Sequence, residues 1–432
     1  MTIDTSTDAG RAMALHDRYP TLDQVVDAAG FLAARHPHLC TLRRVGSSTS
    51  GQPLLLLSVG HAPHHTLVVA GAHADEPLGG ATIVELAHRA VSDASLTAAC
   101  TWDFLLCLDP DGTRLAEGAS HHPSSLSGYF AHFFRPSAEE QPEWAPSYGV
   151  MMPETQALLH LIKSLRPFLQ CSLHNNDVGG AFIEITRDVP GLAEQVAKSA
   201  ADLGIPVQAG FFDAFHWDSP GPGVFVIPPP EEGERWAARP EDVGAITWHA
   251  PREYGGTTLV AEVPRWVSGR LADPAPLTDP TRSVTALADQ LRQRTAALSQ
   301  ILTAAEPHLT GVDSPLLRGV QLHMAVCTPT ADAWDPRIVQ PGAQPLPPMT
   351  RARYASMEMV ANRVPLRAAG MLQRALAPMA AAQPLRADLQ ELINDWCALC
   401  EDSFEGAWLP VARQVEQNIA TILAAIDLAR TR

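Results

Sequence analysis

Leu67-Val68-Val69-Ala70-Gly71-Ala72-His73-Ala74-Asp75-Glu76-Pro77 carries three signals in a row. Leu67–Ala70 is a short apolar run, which fits a buried strand. Gly71 to Glu76 form a loop, and Pro77 stands where a helix can begin, continued by Ile83, Val84, Leu86 and Ala87. Strand, tight loop and helix in succession is the repeating unit of an α/β fold.

The same alternation extends on both sides. Before it, Thr21 can cap a helix with apolar positions at Leu22, Val25, Val26, Ala29, Phe31 and Leu32, and Leu54–Val59 reads as a strand. After it come strands at Phe104–Leu108, Phe168–Leu173, Ala181–Thr186 and Thr258–Val263, with helices at Glu154–Leu165 and Leu192–Ala201. This pattern predicts an α/β domain with a mostly parallel sheet, in which ligands collect in loops at the carboxyl ends of strands. His73, Asp109, His174 and Glu262 all fall at or just beyond predicted strand ends. Two long loops, Ala116–Pro153 and Asp218–Glu234, are expected to wall a substrate cleft. Phe211, Phe212, Phe215, His216 and Trp217 form either an aromatic wall or a strand packing into the core.

Beyond about Asp273 the texture becomes helical. Ser283–Ala305 and Leu316–Ala325 read as helices, and Arg353 to Arg432 is almost wholly helical apart from Pro365, Pro378, Pro384 and Pro410. The Pro-rich span Thr328–Pro348 divides this part. The division is therefore a catalytic domain at 1–275 and a helical region at 276–432, serving as lid, packing or oligomer interface.

Composition narrows the function. Of 432 residues, 46% are hydrophobic, which is ordinary for a globular protein, and the formal charge of −16 comes without a basic cluster. That argues against nucleic acid or an anionic membrane as partner. No apolar run is long enough for a bilayer, and Met1 to Gly10 lack a signal-peptide pattern. The seven scattered cysteines suit reduced thiols, so a cytoplasmic location is expected. Cys397 and Cys400, a lone C-x-x-C in a helical pattern, read as core residues one turn apart.

The chemistry starts from His73 and Glu76. Three apart in a strand-to-helix loop, an imidazole nitrogen and a carboxylate can face one point, and zinc takes such ligands with a position left for water. A lone H-x-x-E is a weak signal, since most such pairs simply face solvent. His174 is the third candidate because it ends a predicted strand and precedes Asn175-Asn176-Asp177; a His bonded to a carbonyl is the alternative. The adjacent pairs His64–His65 and His121–His122 are set aside as surface residues. Glu262 interrupts an otherwise apolar strand, Thr257 to Pro264, and a charge there needs a partner or a task. General base is the task that a metal hydrolase requires. Pro264 would limit that strand to an edge or an end.

With these residues in place, the chain resembles the zinc carboxypeptidase family typified by carboxypeptidase A. Tyr19-Pro-Thr-Leu-Asp, His36-Pro, Arg44-Val-Gly-Ser-Ser and Gly51-Gln-Pro-Leu look like that family's opening. Asp109-Pro110-Asp111-Gly112 is similar to its Asn-Pro-Asp-Gly turn, Ser172-Leu173-His174-Asn175 to its third-ligand strand, and Glu262 to its late catalytic strand. The resemblance covers about residues 19–266. It implies an α/β/α sandwich on a mixed eight-stranded sheet, one zinc ion per chain held by His73, Glu76 and His174, and Glu262 as base and acid. It also implies an arginine for the substrate carboxylate, and here the match departs, since the usual Asn-Arg pair is missing. Arg135 is the better candidate, with Arg114 second. Tyr254 and Asn175 are expected against the substrate, and Asp75, Asp109 and Asp111 behind the ligands. The expected activity is release of a C-terminal residue from a small peptide or peptide-like metabolite. The alternatives are a zinc deacylase acting on a small molecule and an inactive binding module. Self-association through the helical region is a further expectation.

Overall fold

The computed structural model describes residues 18–120, 125–236, 241–338 and 345–430. Thr21 begins the first helix, α1 (Leu22–Arg35). Its hydroxyl accepts from the Gln24 N–H while the Gln24 side chain accepts from the Thr21 N–H, so two otherwise orphaned donors are satisfied. The chain then runs through β1 (Cys40–Ser47), β2 (Pro53–Val59), β3 (His65–Val69), α2 (Leu78–Ser92), α3 (Ala94–Ala99), β4 (Thr101–Leu105), α4 (Pro110–Ser120), α5 (Leu126–Ala131) and α6 (Pro153–Leu165). Next come β5 (Leu169–Gly179), β6 (Phe182–Ile185), α7 (Leu192–Asp202), β7 (Asp218–Gly221), β8 (Val224–Val226) and β9 (Thr257–Val267). The helical part consists of α8 (Pro280–Leu309), α9 (Pro315–Trp334), α10 (Arg351–Ala375), α11 (Gln383–Phe404), the two-residue β10 (Ala407–Trp408) and α12 (Val411–Arg430).

The strands form one mixed sheet in the order β1-β2-β4-β3-β5-β9-β6-β8-β7, with β10 alongside β9. At its centre β4, β3, β5 and β9 are parallel, while β1–β2, β2–β4, β6–β9 and β7–β8 are antiparallel. The expected α/β fold with a helical C-terminal region is present, although the sheet has ten strands rather than eight. Two of them, β7 and β8, lie in the segment that reads as a cleft-wall loop. The fourth strand also begins earlier than its apolar run: Asp103 belongs inside it, accepting from Ser58 Oγ at 2.6 Å and lying 2.7 Å from His65 Nδ1.

β5 and β9 are both longer than their apolar cores suggest, because they pair in register from Leu169↔Thr257 to Gly179↔Val267. His174 and Glu262 therefore sit within long central strands, not at their tips. Pro264 is tolerated inside β9 for a simple reason. The pairing of β9 with β6 ends at Glu262↔Phe182, so beyond that point one flank of β9 has lost this neighbour.

Apolar side chains of α1, α2, α7 and α12 form one core with one face of the sheet, including Leu32, Leu86, Val196 and Ile422. α6 supplies Leu158, Leu161 and Ile162 to a smaller cluster with Leu67, Val69 and Leu105. The other core joins α5 to α8–α11 through residues such as Phe130, Leu298, Leu372 and Ile393. Two prolines expected to break helices do not. α9 continues through Pro329, and α10 continues through Pro365. A proline deprives the carbonyl four residues earlier of its donor. At Pro365 that carbonyl is Ala361 O, and Arg294 of α8 donates to it at 3.3 Å, stacking meanwhile over Trp396. All seven cysteines are buried and free, Cys397 and Cys400 among them, and among the described residues no helix is long and apolar enough to cross a membrane.

Candidate active site

The loop after β3 opens at Gly71, whose φ of 60° lies in the left-handed region and where a Cβ would come within 2.6 Å of Cys107 Sγ. Only glycine meets both demands without strain. The turn then closes with Glu76 N–H donating to His73 O at 3.2 Å, which sets the two side chains on the same side. His73 Nδ1 lies 3.1 Å from Glu76 Oε1, His174 Nδ1 lies 2.8 Å from Glu76 Oε2, and the two Nδ1 atoms are 3.0 Å apart. All three residues are buried.

Four nitrogen and oxygen atoms thus converge from β3's loop and the middle of β5. Two imidazole nitrogens 3.0 Å apart facing one carboxylate are an uncomfortable set for protons alone, since each nitrogen carries a lone pair or a single hydrogen. A shared cation satisfies every lone pair at once. Two nitrogens and a carboxylate, open on one side to a cavity, form the donor set of a catalytic zinc centre. The residues present fit the ion. Glu143 also lies within 4.8 Å of both imidazoles, but its contact is with the other side of the His174 ring. Its Oε2 is 3.3 Å from His174 Nε2, and Ser172, which donates to Glu143 at 2.7 Å, is 2.9 Å from the same Nε2. Ser172 and Glu143 therefore hold the ring from behind and leave Nδ1 for the ion.

Burial and charge oppose one another across this cluster. Burial alone would raise the Glu76 carboxyl, yet His73, Arg135 and His174 hold it well below the usual carboxylate range. Burial lowers His174, and the Glu76 and Glu143 carboxylates more than reverse that. Glu262 stands beside His174 in the β5–β9 register, with Oε2 buried and without a hydrogen-bond partner. Burial, reinforced by repulsion from Glu76, raises its pKa to about 8.

The site opens into a cavity of about 300 Å³. Trp144, Phe182, Phe211, Trp217, Trp236 and Trp248 form its apolar lining; Glu184, Asp213, Arg135, Arg363 and Arg367 are among the charged residues. Of the expected aromatic group, Phe211 and Trp217 reach the cavity, whereas Phe212 and Phe215 pack in the cluster of Trp334.

The remaining predicted residues divide. Arg135 lines the cavity, but Asp75 takes its Nε at 2.8 Å and Glu76 takes its Nη2, so one edge of the guanidinium is engaged by two carboxylates. Asn175 also borders the cavity, with its amide donating to Val263 O at 2.6 Å. Arg114 is elsewhere, paired with Asp23 at 2.7 Å and Gln52 at 2.8 Å near the surface. Tyr254 is likewise outside the cavity lining, its ring under Arg166 at 5.6 Å. Asp111 accepts from Ser48 at 2.8 Å and from the Ser50 N–H, also at 2.8 Å, and Asp109 accepts from the Gly112 N–H, so both brace the start of α4 rather than the ligands. Asp75 does stand behind the site, through Arg135. His65 pairs with Asp103, and His121 and His122 lie outside the described residues.

Glu143, Glu184 and Arg363 escape the sequence argument. Glu184 carries the signal that marked Glu262, a lone acid in an apolar strand, Phe182-Ile183-Glu184-Ile185. Glu143 lies in a long loop and Arg363 in a helix far along the chain, where no local pattern marks them.

Residues 26–179 match the family described as zinc carboxypeptidase. No curated protein matches the chain. Similar solved structures include a metallo-carboxypeptidase from Burkholderia cenocepacia, at 18% identity over 56% of this chain and 59% of that one, TM-score 0.36. Carboxypeptidase A from Helicoverpa armigera is similar at 14% identity over 58% and 66%, TM-score 0.39. A putative metallopeptidase from Shewanella amazonensis is similar at 15% identity over 56% and 84%, TM-score 0.38. The chain spans 59% of the first structure's length and 58% of that of a thrombin-activatable fibrinolysis inhibitor.

Proposed function

We propose that the chain is a zinc-dependent hydrolase that cleaves the C-terminal amide bond of a small peptide or peptide-like metabolite. The observation that carries this is the convergence of His73, Glu76 and His174 at the mouth of a cavity, with the unpartnered Glu262 carboxyl next to His174 in the sheet. His73 and His174, each through Nδ1, and the Glu76 carboxylate hold the metal in this reading. Bound there, zinc would polarise the scissile carbonyl and lower the pKa of a water molecule.

The chain's own residues supply the rest. Glu262 takes a proton from the attacking water and delivers it to the leaving nitrogen as the C–N bond breaks, giving a carboxylate and an amine. Its buried setting suits a group that must pass between protonated and ionised forms. Trp144, Trp236 and Trp248 keep bulk water from the reacting bond, which strengthens each electrostatic contact inside. Ser172 and Glu143 fix the orientation of His174.

Zinc-loaded protein and its Glu262→Gln and His174→Ala variants provide the test, assayed for metal content and for hydrolysis of N-acylated dipeptides. The expected result is about one zinc in the parent, bound metal lost in His174→Ala, and metal kept in Glu262→Gln with activity down by about 10²–10⁴-fold. Near-parental activity in Glu262→Gln would remove the assigned base. The double engagement of Arg135 favours one competing reading, a deacylase whose substrate needs no carboxylate anchor.

A further inference from the structure

The cavity is entered by three guanidinium groups, and their partners differ. Arg135 is neutralised by Asp75 and Glu76. Arg367 is neutralised by Asp177, which accepts from its Nη2 at 2.8 Å, and its guanidinium lies over the Phe133 ring. Arg363 has no such arrangement. Among the described residues it makes no ion pair or side-chain hydrogen bond, and its Nε is shielded from water without any partner. Asp213 and Asp177 act on it only from beyond ion-pairing range.

We propose that Arg363, brought in by the helical region, is the binding residue for an anionic carboxylate of the substrate. The proposal rests on the hydrolase reading above and names its missing anchor, on a helix outside the part of the chain that matches the family. A half-buried guanidinium without a counter-ion is left short of partners, and an incoming carboxylate supplies them by filling the fork with two parallel hydrogen bonds. The opposite side of the cavity offers an anion no cation. Among the described residues, Glu184 and Glu262 are carboxyl groups without ion-pair partners, and both border the side of the cavity formed by β6 and β9. Neither can hold an anion by charge, which leaves Arg363 as its destination.

The helix presents this residue rigidly. Two residues beyond it Pro365 sits inside α10, and Arg294 of α8 bonds both Ala361 O and Asn362 Oδ1. Further along, Gly370 lies so close to Phe130 O that a Cβ there would come within 1.8 Å. The helical region is on this account part of the substrate pocket, and an α/β domain without it would lack the anchor.

The experiment compares N-acetylated dipeptides bearing a free C-terminal carboxylate with the same dipeptides as C-terminal amides, over acidic, basic, aromatic and aliphatic last residues. Binding is followed by calorimetry and turnover by amine release, on zinc-loaded parent, Arg363→Gln and Arg363→Lys. The parent should prefer the acid. Arg363→Gln should raise KM and Kd for acids by about 10- to 100-fold, with a smaller effect on kcat and none on the amides. Arg363→Lys should restore part of the loss, and zinc content and the urea midpoint should stay at parental values. Equal affinity of the parent for acid and amide, no binding of either, or a parental acid preference in Arg363→Gln overturns the anchor. Acid-selective binding that Arg363→Gln abolishes, without hydrolysis of any peptide, upholds the anchor while the hydrolase reading fails.

Discussion

Glu143 is wholly buried, and among the described residues its carboxylate contacts Ser172 Oγ and the rear nitrogen of His174. In the proposed site its role is to fix which imidazole nitrogen faces the metal, because a ring anchored at Nε2 presents Nδ1. Glu143→Ala should weaken zinc affinity by about 10–100-fold, measured by competition with a chromogenic chelator, and excess zinc should restore hydrolysis. Zinc affinity equal to the parent's would assign Glu143 to packing alone. The members of the proposed site stood out in the sequence because they carry local marks: His73 and Glu76 share a loop after an apolar strand, and Glu262 is a charge inside one. Glu143 carries none, since a residue in a loop is defined by what the loop folds against. Arg114 misled for the opposite reason: it lies next to a recognisable turn, but α4 carries it outward to Asp23.

At the scale of elements, α5 and α10 meet with almost no space between them. Gly370 faces the Phe130 carbonyl, and a methyl group at that position would fall 1.8 Å from a backbone oxygen. Backbone cannot swing aside as a side chain does, so Gly370→Ala should force the two helices apart and cost about 1–3 kcal/mol or more. Urea unfolding of the variant beside the parent measures this, and an unchanged midpoint would mean that the contact is easily relaxed. Helical periodicity identified α10 as a helix but could not show that it crosses two prolines' worth of expected breaks with α9, because the remedy at Pro365 is a side chain, Arg294, from α8. Strand lengths were hidden similarly. β5 and β9 extend past their apolar segments because each finds the other, and pairing between distant segments leaves no trace in either one alone.

Acid sensitivity belongs to the molecule as a whole. His249, in the helical turn Thr247–Tyr254, is buried with both ring nitrogens unpartnered. Burial, with repulsion from Arg252 and against a weaker pull from Glu231, lowers its pKa to about 4. The folded chain thus keeps this ring neutral while the unfolded chain protonates it below about 6.5. The unfolded state binds the extra proton between these values, so stability falls as the pH drops from about 6.5 to about 4 and this contribution levels off below. His249→Phe should remove that part of the slope: the difference in urea midpoint between variant and parent should shift in favour of the variant across this interval. A constant difference would show that His249 titrates alike in both states.

The strand–loop–helix alternation indicated the α/β layers, and the helical texture beyond Asp273 corresponds to the helices from Pro280 onward. What the pattern could not convey is that α12 returns to the first layer. An amphipathic helix does not declare which surface it will cover, and Val415, Ile419 and Ile422 close the same core as Leu32 and Leu86. This return imposes an order of events on biosynthesis. Residues 36–410 separate α1 from its covering helix, so a ribosome that has delivered every strand of the sheet has still left part of one face uncovered. Until α12 emerges, the nascent chain carries an open apolar surface suited to chaperone capture, and the protein gains its full core only when synthesis reaches the last turn.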